Sequence, residues 1–254
     1  MKDWSPTQYL KFADERTRAA RDLLAQVPLA SPSRVYDLGC GPGNSMALLA
    51  ERWPAATITG IDNSPAMLAE ARQALPDVGF ENADLASWVP AEPCELLFSN
   101  ATLQWVPDHM AVLARLAQSL KPGGVLAAQM PDNLGEPSHL LMAETAENGP
   151  WAEKLAGAAR PPMPSPQVYY DRLKPRFARL DIWHTIYNHP LDGAGGIVAW
   201  VKSTGLRPFL DRLGEDERHT FLADYRRRIE AAYPPSTDGK ILLRFPRLFI
   251  VGVR

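Results

Sequence analysis

The stretch Val35-Tyr36-Asp37-Leu38-Gly39-Cys40-Gly41-Pro42-Gly43-Asn44-Ser45 constrains this chain more than any other. A short apolar run ends in an acid and three closely spaced glycines before a helical pattern begins. Gly39, Gly41 and Gly43 permit left-handed backbone and close approach of a ligand, and Asn44 or Ser45 stands where it can cap the following helix. The pattern predicts a strand, a ligand-receiving turn and a helix. Asp37, at the strand's carboxyl end, puts a negative charge in the same crevice, which disfavours a phosphate on the loop and favours a ligand carrying a cation. A dinucleotide fingerprint, G-x-G-x-x-G, requires its third glycine where this chain has Asn44.

A second β-rich run, Thr57-Ile58-Thr59-Gly60-Ile61-Asp62, ends in an acid about 20 residues beyond the glycines, where nucleotide-binding α/β folds hold a ribose. Asp62 is a candidate acceptor for both ribose hydroxyls, which by itself leaves several nucleosides open. Further on lie Phe80-Glu81-Asn82-Ala83-Asp84-Leu85, then a buried-looking strand running into a loop from Cys94 to Trp105, then Lys121-Pro122-Gly123-Gly124-Val125-Leu126 as a turn and fifth strand. In this order and spacing the segments resemble class I S-adenosylmethionine (SAM)-dependent methyltransferases. The resemblance implies an α/β fold: a seven-stranded, mostly parallel, Rossmann-like sheet with helices on both faces and helical cap insertions. It also implies SAM as cofactor, with S-adenosylhomocysteine as product, held by Asp37, Gly39, Gly41, Gly43, Asn44, Asp62, Asn63, Asp84, Leu85 and Ser99. Asp84 would accept from the adenine amine, the Leu85 amide would donate to the ring, and the Ser99 loop would face the reacting methyl.

The 254 residues suffice for one large core and a smaller lobe. A formal net charge of −2 supplies no field for nucleic acid or an anionic membrane, and Arg226-Arg227-Arg228 reads as a solvated helix face. With no spanning apolar stretch and no signal peptide at Met1-Lys2-Asp3-Trp4-Ser5, a cytoplasmic location is expected. Two cysteines, Cys40 and Cys94, make no disulfide framework, and the five histidines have no metal-ligand spacing, so no metal is expected.

Alternation of strands and helices persists to about residue 130. The expected organisation is a single domain over 1–254, with an N-terminal helical cover at 1–30, a SAM-binding core at 31–130, cap insertions at 131–166 and 192–244, and closing strands at 168–190 and 245–254. The first insertion ends in a proline-rich rigid loop, Arg160 to Pro166. The seventh strand is expected antiparallel beside the sixth, and the insertions are expected over the strands' carboxyl ends.

Transfer of a methyl from a sulfonium is an in-line displacement that requires positioning above all. An amine or alcohol nucleophile would need a base, for which His109 is the candidate; a carboxylate, ionised at neutral pH, needs none. Arginines suit carboxylate binding, since guanidinium forks match carboxylates bidentately. Arg207, before a proline-fixed turn, and Arg244, before the last strand, are the candidates, together with His109 and with Trp105 as a substrate wall. Tyr9 and Arg16, at helical spacing on one face, are further candidates at the substrate or the methionine end of SAM. Trp4-Ser5-Pro6, the Asn100–Trp105 loop, Ser203 to Pro208 and Phe245 to Phe249 resemble a branch of the same family that esterifies a small polycarboxylic acid. Alternatives are a carboxyl methyltransferase for malonyl groups on a carrier protein and a noncatalytic SAM-binding module.

Overall fold

The computed structural model describes residues 13–202 and 204–254. Helix α1 (Ala13–Ala25) precedes strands and helices in alternation: β1 (Arg34–Leu38), α2 (Asn44–Arg52), β2 (Thr57–Asp62), α3 (Pro65–Ala74), β3 (Gly79–Asn82), β4 (Cys94–Asn100), α4 (His109–Leu116) and β5 (Leu120–Pro131). Then come α5 (Pro137–Glu147), α6 (Ala152–Leu155), α7 (Pro166–Leu173), β6 (Arg179–Leu191), α8 (Gly193–Lys202), α9 (Arg207–Leu210), α10 (Glu215–Ala232) and β7 (Ile241–Val253). None of the described helices is long and apolar enough to cross a membrane.

The seven strands form one sheet in the order β3-β2-β1-β4-β5-β7-β6, and the first five pair parallel. Beyond them the direction reverses. Gly123 and Gly124 at the start of β5 exchange backbone hydrogen bonds with Arg254, while Asp132 just past its end donates to Pro246, so β7 runs antiparallel to β5. Trp183 stacked on Phe249 and His189 edge-on to Phe245 give the same antiparallel sense between β7 and β6, as expected. Leu96, Leu97, Phe98 and Ser99 are consecutive and all buried, which a strand achieves only when both faces of its sheet are covered.

The chain divides into two compact units. The larger holds the described residues through Pro131 with 163–185 and 248–254. Its core gathers Leu38, Ile61, Leu97, Leu113, Leu126, Tyr169 and Ile250. The smaller holds 132–162 and 186–247. There α10 packs against α5 and α8, Trp151 meets Phe221 edge-on at 5.2 Å, and the Tyr225 hydroxyl donates to the Ser138 carbonyl at 2.8 Å.

Three boundaries are corrected. The strand expected over 168–190 begins only at Arg179, because residues through Leu173 continue helix α7, with Ser165 capping Val168 and Pro166 in the first turn. Proline has no hydrogen-bond donor to lose at that position, so the expected rigid loop ends by starting a helix. The last strand begins at Ile241 instead of residue 245, which shortens the second insertion. Neither Asn44 nor Ser45 caps α2: Gly43, left-handed, occupies the cap and both residues lie inside the helix.

Candidate active site

The glycine turn joins β1 to α2 and its three glycines answer different demands. Gly39 (φ 73°) could not carry a side chain, since a Cβ would lie 2.1 Å from Thr102. Its amide and that of Cys40 both donate to the Ile61 carbonyl, at 2.7 and 3.0 Å, tying the turn to β2. Gly41 (φ 54°) is also left-handed, yet a Cβ there would meet nothing within 4 Å among the described residues. Packing requires the first glycine, and no described residue crowds the second.

Asp37 is fully buried. Ser45, freed from capping, donates to its Oδ2 at 2.5 Å, whereas the buried Oδ1 has no hydrogen-bond partner among the described residues. Burial pushes this carboxyl up to about 7; the Ser45 bond opposes the rise and the nearby Asp62 charge adds to it. Asn44 Oδ1, in the same turn, is likewise buried without a donor among the described residues.

Asp62 closes the β1–β2 side of the site. Its Oδ2 accepts from the Gly41 amide and its Oδ1 from the Ser64 amide, each at 2.9 Å. The sequence read it only as a ligand acceptor, and it also fixes the turn. A carboxylate oxygen accepts more than one hydrogen bond, so the capacity for a diol remains. Asn63 beside it is exposed. Asp84 is exposed after β3, with Oδ1 accepting from the Ala86 amide at 2.9 Å, and Leu85 is buried with its carbonyl held by Arg115 at 2.8 Å.

The loop after β4 departs further from expectation. Ser99 is buried and donates to the Leu38 carbonyl at 3.1 Å, so its hydroxyl laces β4 to β1 instead of reaching toward a ligand. Ala101 is left-handed (φ 58°) and turns the chain immediately after Asn100. Thr102 Oγ1 then donates to the Gly39 carbonyl at 3.1 Å, fastening this loop to the glycine turn. Trp105 ends a short 3-10 turn, half-buried. His109 opens α4 with Nε2 bonded to the hydroxyl of buried Tyr169 at 2.5 Å and the rings stacked, an anchoring role that corrects its candidacy as a base at that nitrogen.

In the smaller unit, Arg207 begins α9 with its side chain only 12% exposed and 3.6 Å from Asp211. Arg244 is paired with Glu136, a nearly buried acid. The sequence reading missed that pairing. Tyr9 and the side chain of Arg16 lie outside the described residues.

The family model for a methyltransferase domain matches residues 35–124, which span the glycine turn, Asp62, Asp84 and the loop after β4. Haemonchus contortus phosphoethanolamine N-methyltransferase 2, solved in complex with S-adenosyl-L-methionine, shares the fold with a TM-score of 0.55 at 16% identity, over 92% of this chain and 52% of that one. The matched segment is a methyltransferase domain. Closer relatives refine it: trans-aconitate 2-methyltransferases of Rhizobium rhizogenes and Rhodopseudomonas palustris are 58% and 59% identical over 99% of both chains. The chain belongs to the trans-aconitate 2-methyltransferase family.

The residues fit SAM as the family's methyl donor. A buried carboxylate with one oxygen lacking a donor suits a cationic amino-acid group, an acid at the end of β2 suits a diol, and the open face of Gly41 leaves room for a ligand against backbone. Two positioning residues were not singled out from sequence, Thr102 and Gln129. Gln129 had a usable signal. It is a lone amide in the apolar run Val125-Leu126-Ala127-Ala128-Gln129-Met130, and a polar group so buried needs a partner.

Proposed function

We propose that the protein transfers a methyl group from SAM to a carboxylate of trans-aconitate, giving its monomethyl ester. The observation that carries the substrate is 58% identity over essentially the full chain to an enzyme named for that reaction. SAM supplies a methyl on a sulfonium, and its transfer forms an O–CH3 bond as the S–CH3 bond breaks with its electron pair left on sulfur. Asp37, with Asn44 beside it, would hold the cationic methionine end, Asp62 with Asn63 the ribose, and Asp84 with the Leu85 amide the adenine. Burial makes Asp37 a strong partner for a cation, because no water competes and ionisation is itself favoured by the bound charge.

No base is required, since the acid's carboxylates are ionised at neutral pH. The chain's work on the substrate is to hold its other carboxylates. Arg207, nearly buried on α9 beside Asp211, is assigned that task, and Arg244, paired with Glu136, is the further candidate. Trp105 is assigned as an apolar wall, and Tyr9 and Arg16 stay as candidates at the same substrate. The free thiols Cys40 and Cys94 suit a reducing compartment, which supports a cytoplasmic location.

Methyl-labelled SAM offered with small polycarboxylates, carrier-bound malonate and nucleic acid tests the assignment. Label should enter trans-aconitate as a base-labile ester. Label confined to the carrier would replace the substrate, and label in none of them would leave a noncatalytic SAM-binding module.

A further inference from the structure

The ends of β4 and β5 carry a pair of amides that the reading so far does not use. Asn100 and Gln129 are register partners on adjacent parallel strands, at the carboxyl edge where open α/β sheets bind ligands. Gln129 is fully buried and donates from Nε2 to Asn100 Oδ1. Asn100 itself is only half-buried, and its Nδ2 donates to nothing among the described residues. The backbone around it is held from three sides. The Ala101 amide donates to the Gln129 carbonyl at 2.9 Å, left-handed Ala101 turns the chain away, and Thr102 Oγ1 bridges the carbonyls of Asn100 and Gly39 at 3.3 and 3.1 Å. A non-glycine residue in that conformation is strained by about 1–2 kcal/mol and persists only where surrounding bonds require it.

We propose that Asn100, with its amide oriented by Gln129, donates from Nδ2 to the carboxylate that receives the methyl. The assignment rests on the carboxylate reading above and adds the group that faces the reacting oxygens. Its chemistry explains why an amide stands there and not an arginine. As the O–CH3 bond forms, carboxylate and sulfonium charges cancel, so a cation bound to the reacting carboxylate would stabilise the ground state more than the transition state. A neutral donor on the non-attacking oxygen fixes geometry and forfeits little as the charge disappears. Non-reacting carboxylates keep their charge throughout and suit guanidinium. Gln129 is a positioning residue: by donating to Oδ1 it makes Nδ2 the end that faces outward.

Steady-state transfer from methyl-labelled SAM to trans-aconitate, with SAM affinity measured separately by calorimetry, tests this. Asn100→Ala should lower kcat/KM for the acid by about 10-fold or more while leaving SAM affinity within about 2-fold. Asn100→Asp separates the roles. It keeps the shape and still accepts from Gln129, so a purely structural Asn100 predicts Asp milder than Ala. A donor to a carboxylate predicts Asp worse than Ala, because like charges then face each other. Gln129→Glu removes the donor, so Asn100 turns Nδ2 inward and shows its oxygen to the substrate. That variant should match Asn100→Ala in kcat/KM, and the two changes together should cost little more than one. If the buried carboxylate prevents folding, the order of Asp and Ala at position 100 decides alone. An active wild type with Asp milder than Ala overturns this assignment only; a wild type that methylates no carboxylate overturns the reading beneath it as well.

Discussion

Asp37 is a carboxylate placed where an isolated charge is costly, and that cost is what couples it to a ligand. Its carboxyl lies at about 7 in the folded protein against an ordinary 3.8, because burial outweighs the Ser45 hydrogen bond. The sign follows from linkage. A group raised on folding contributes its full stability below about pH 4 and loses it as pH rises through 7, so the ligand-free protein gives up on the order of 4 kcal/mol over that window. A cation next to Oδ1 reverses the preference, since it binds the ionised form. SAM affinity should therefore tighten as pH climbs from about 5 to 7, by up to about tenfold per pH unit, and level off above. Asp37→Asn should bind SAM weakly at every pH with that slope removed, while the ligand-free variant melts higher than wild type near pH 8. Calorimetry and thermal melts across pH check both, and a wild-type affinity flat from pH 5 to 8 would remove the cation pairing.

At the scale of elements, the turn between β1 and α2 separates backbone demands that its sequence spelled identically. Gly39 and Gly41 are both left-handed, but among the described residues only Gly39 backs onto another element, Thr102 of the loop after β4. Gly39→Ala should combine left-handed strain with overpacking and cost roughly 2–5 kcal/mol of stability. Gly41→Ala should cost only the strain, roughly 1–2 kcal/mol, while its methyl enters the space assigned to SAM and abolishes binding. Denaturant unfolding beside SAM titration tells them apart, and equal destabilisation by both would mean the Thr102 contact does not constrain the turn. What was legible here was local: acids ending β1 and β2 at fixed distances from three glycines specify strand, turn and strand without reference to the rest of the chain. Ser45 was misread because capping is the usual use of serine beside a helix start, whereas its hydroxyl answers a buried carboxylate eight residues away. Gln129 and Thr102 act across strands, and no spacing in the sequence encodes such partners. The start of α7 was hidden by prolines that suit the first turn of a helix as well as a loop.

For the whole molecule, the residues assigned to ligands are distributed over the two compact units, and each set can be tested by itself. Asp37, Gly41, Asp62, Asp84 and Asn100 belong to the unit built on the parallel strands, and Arg207, Arg244 and Glu136 to the unit made of 132–162 and 186–247. The parallel alternation ends with β5, and the smaller unit takes up the chain at Asp132. The second insertion was less legible: β6 and β7 each contribute residues to both units, and a strand's periodicity carries no mark of where one compact unit gives way to another. Hydrogen exchange can assign each ligand to its unit. With S-adenosylhomocysteine alone, protection should rise at the Gly41, Ser64 and Ala86 amides, whose acceptors are the site acids Asp62 and Asp84. At a ligand concentration near 100 times Kd the gain is limited to about 2.7 kcal/mol, roughly a 100-fold slowing. Adding trans-aconitate to that complex, where no methyl is available and no turnover occurs, should then protect amides around Arg207, such as those of Phe209 to Asp211, which close the helical turns of α9. Protection by the acid confined to the larger unit would remove the arginines from substrate binding and leave the Asn100 loop as the acid's only assigned site.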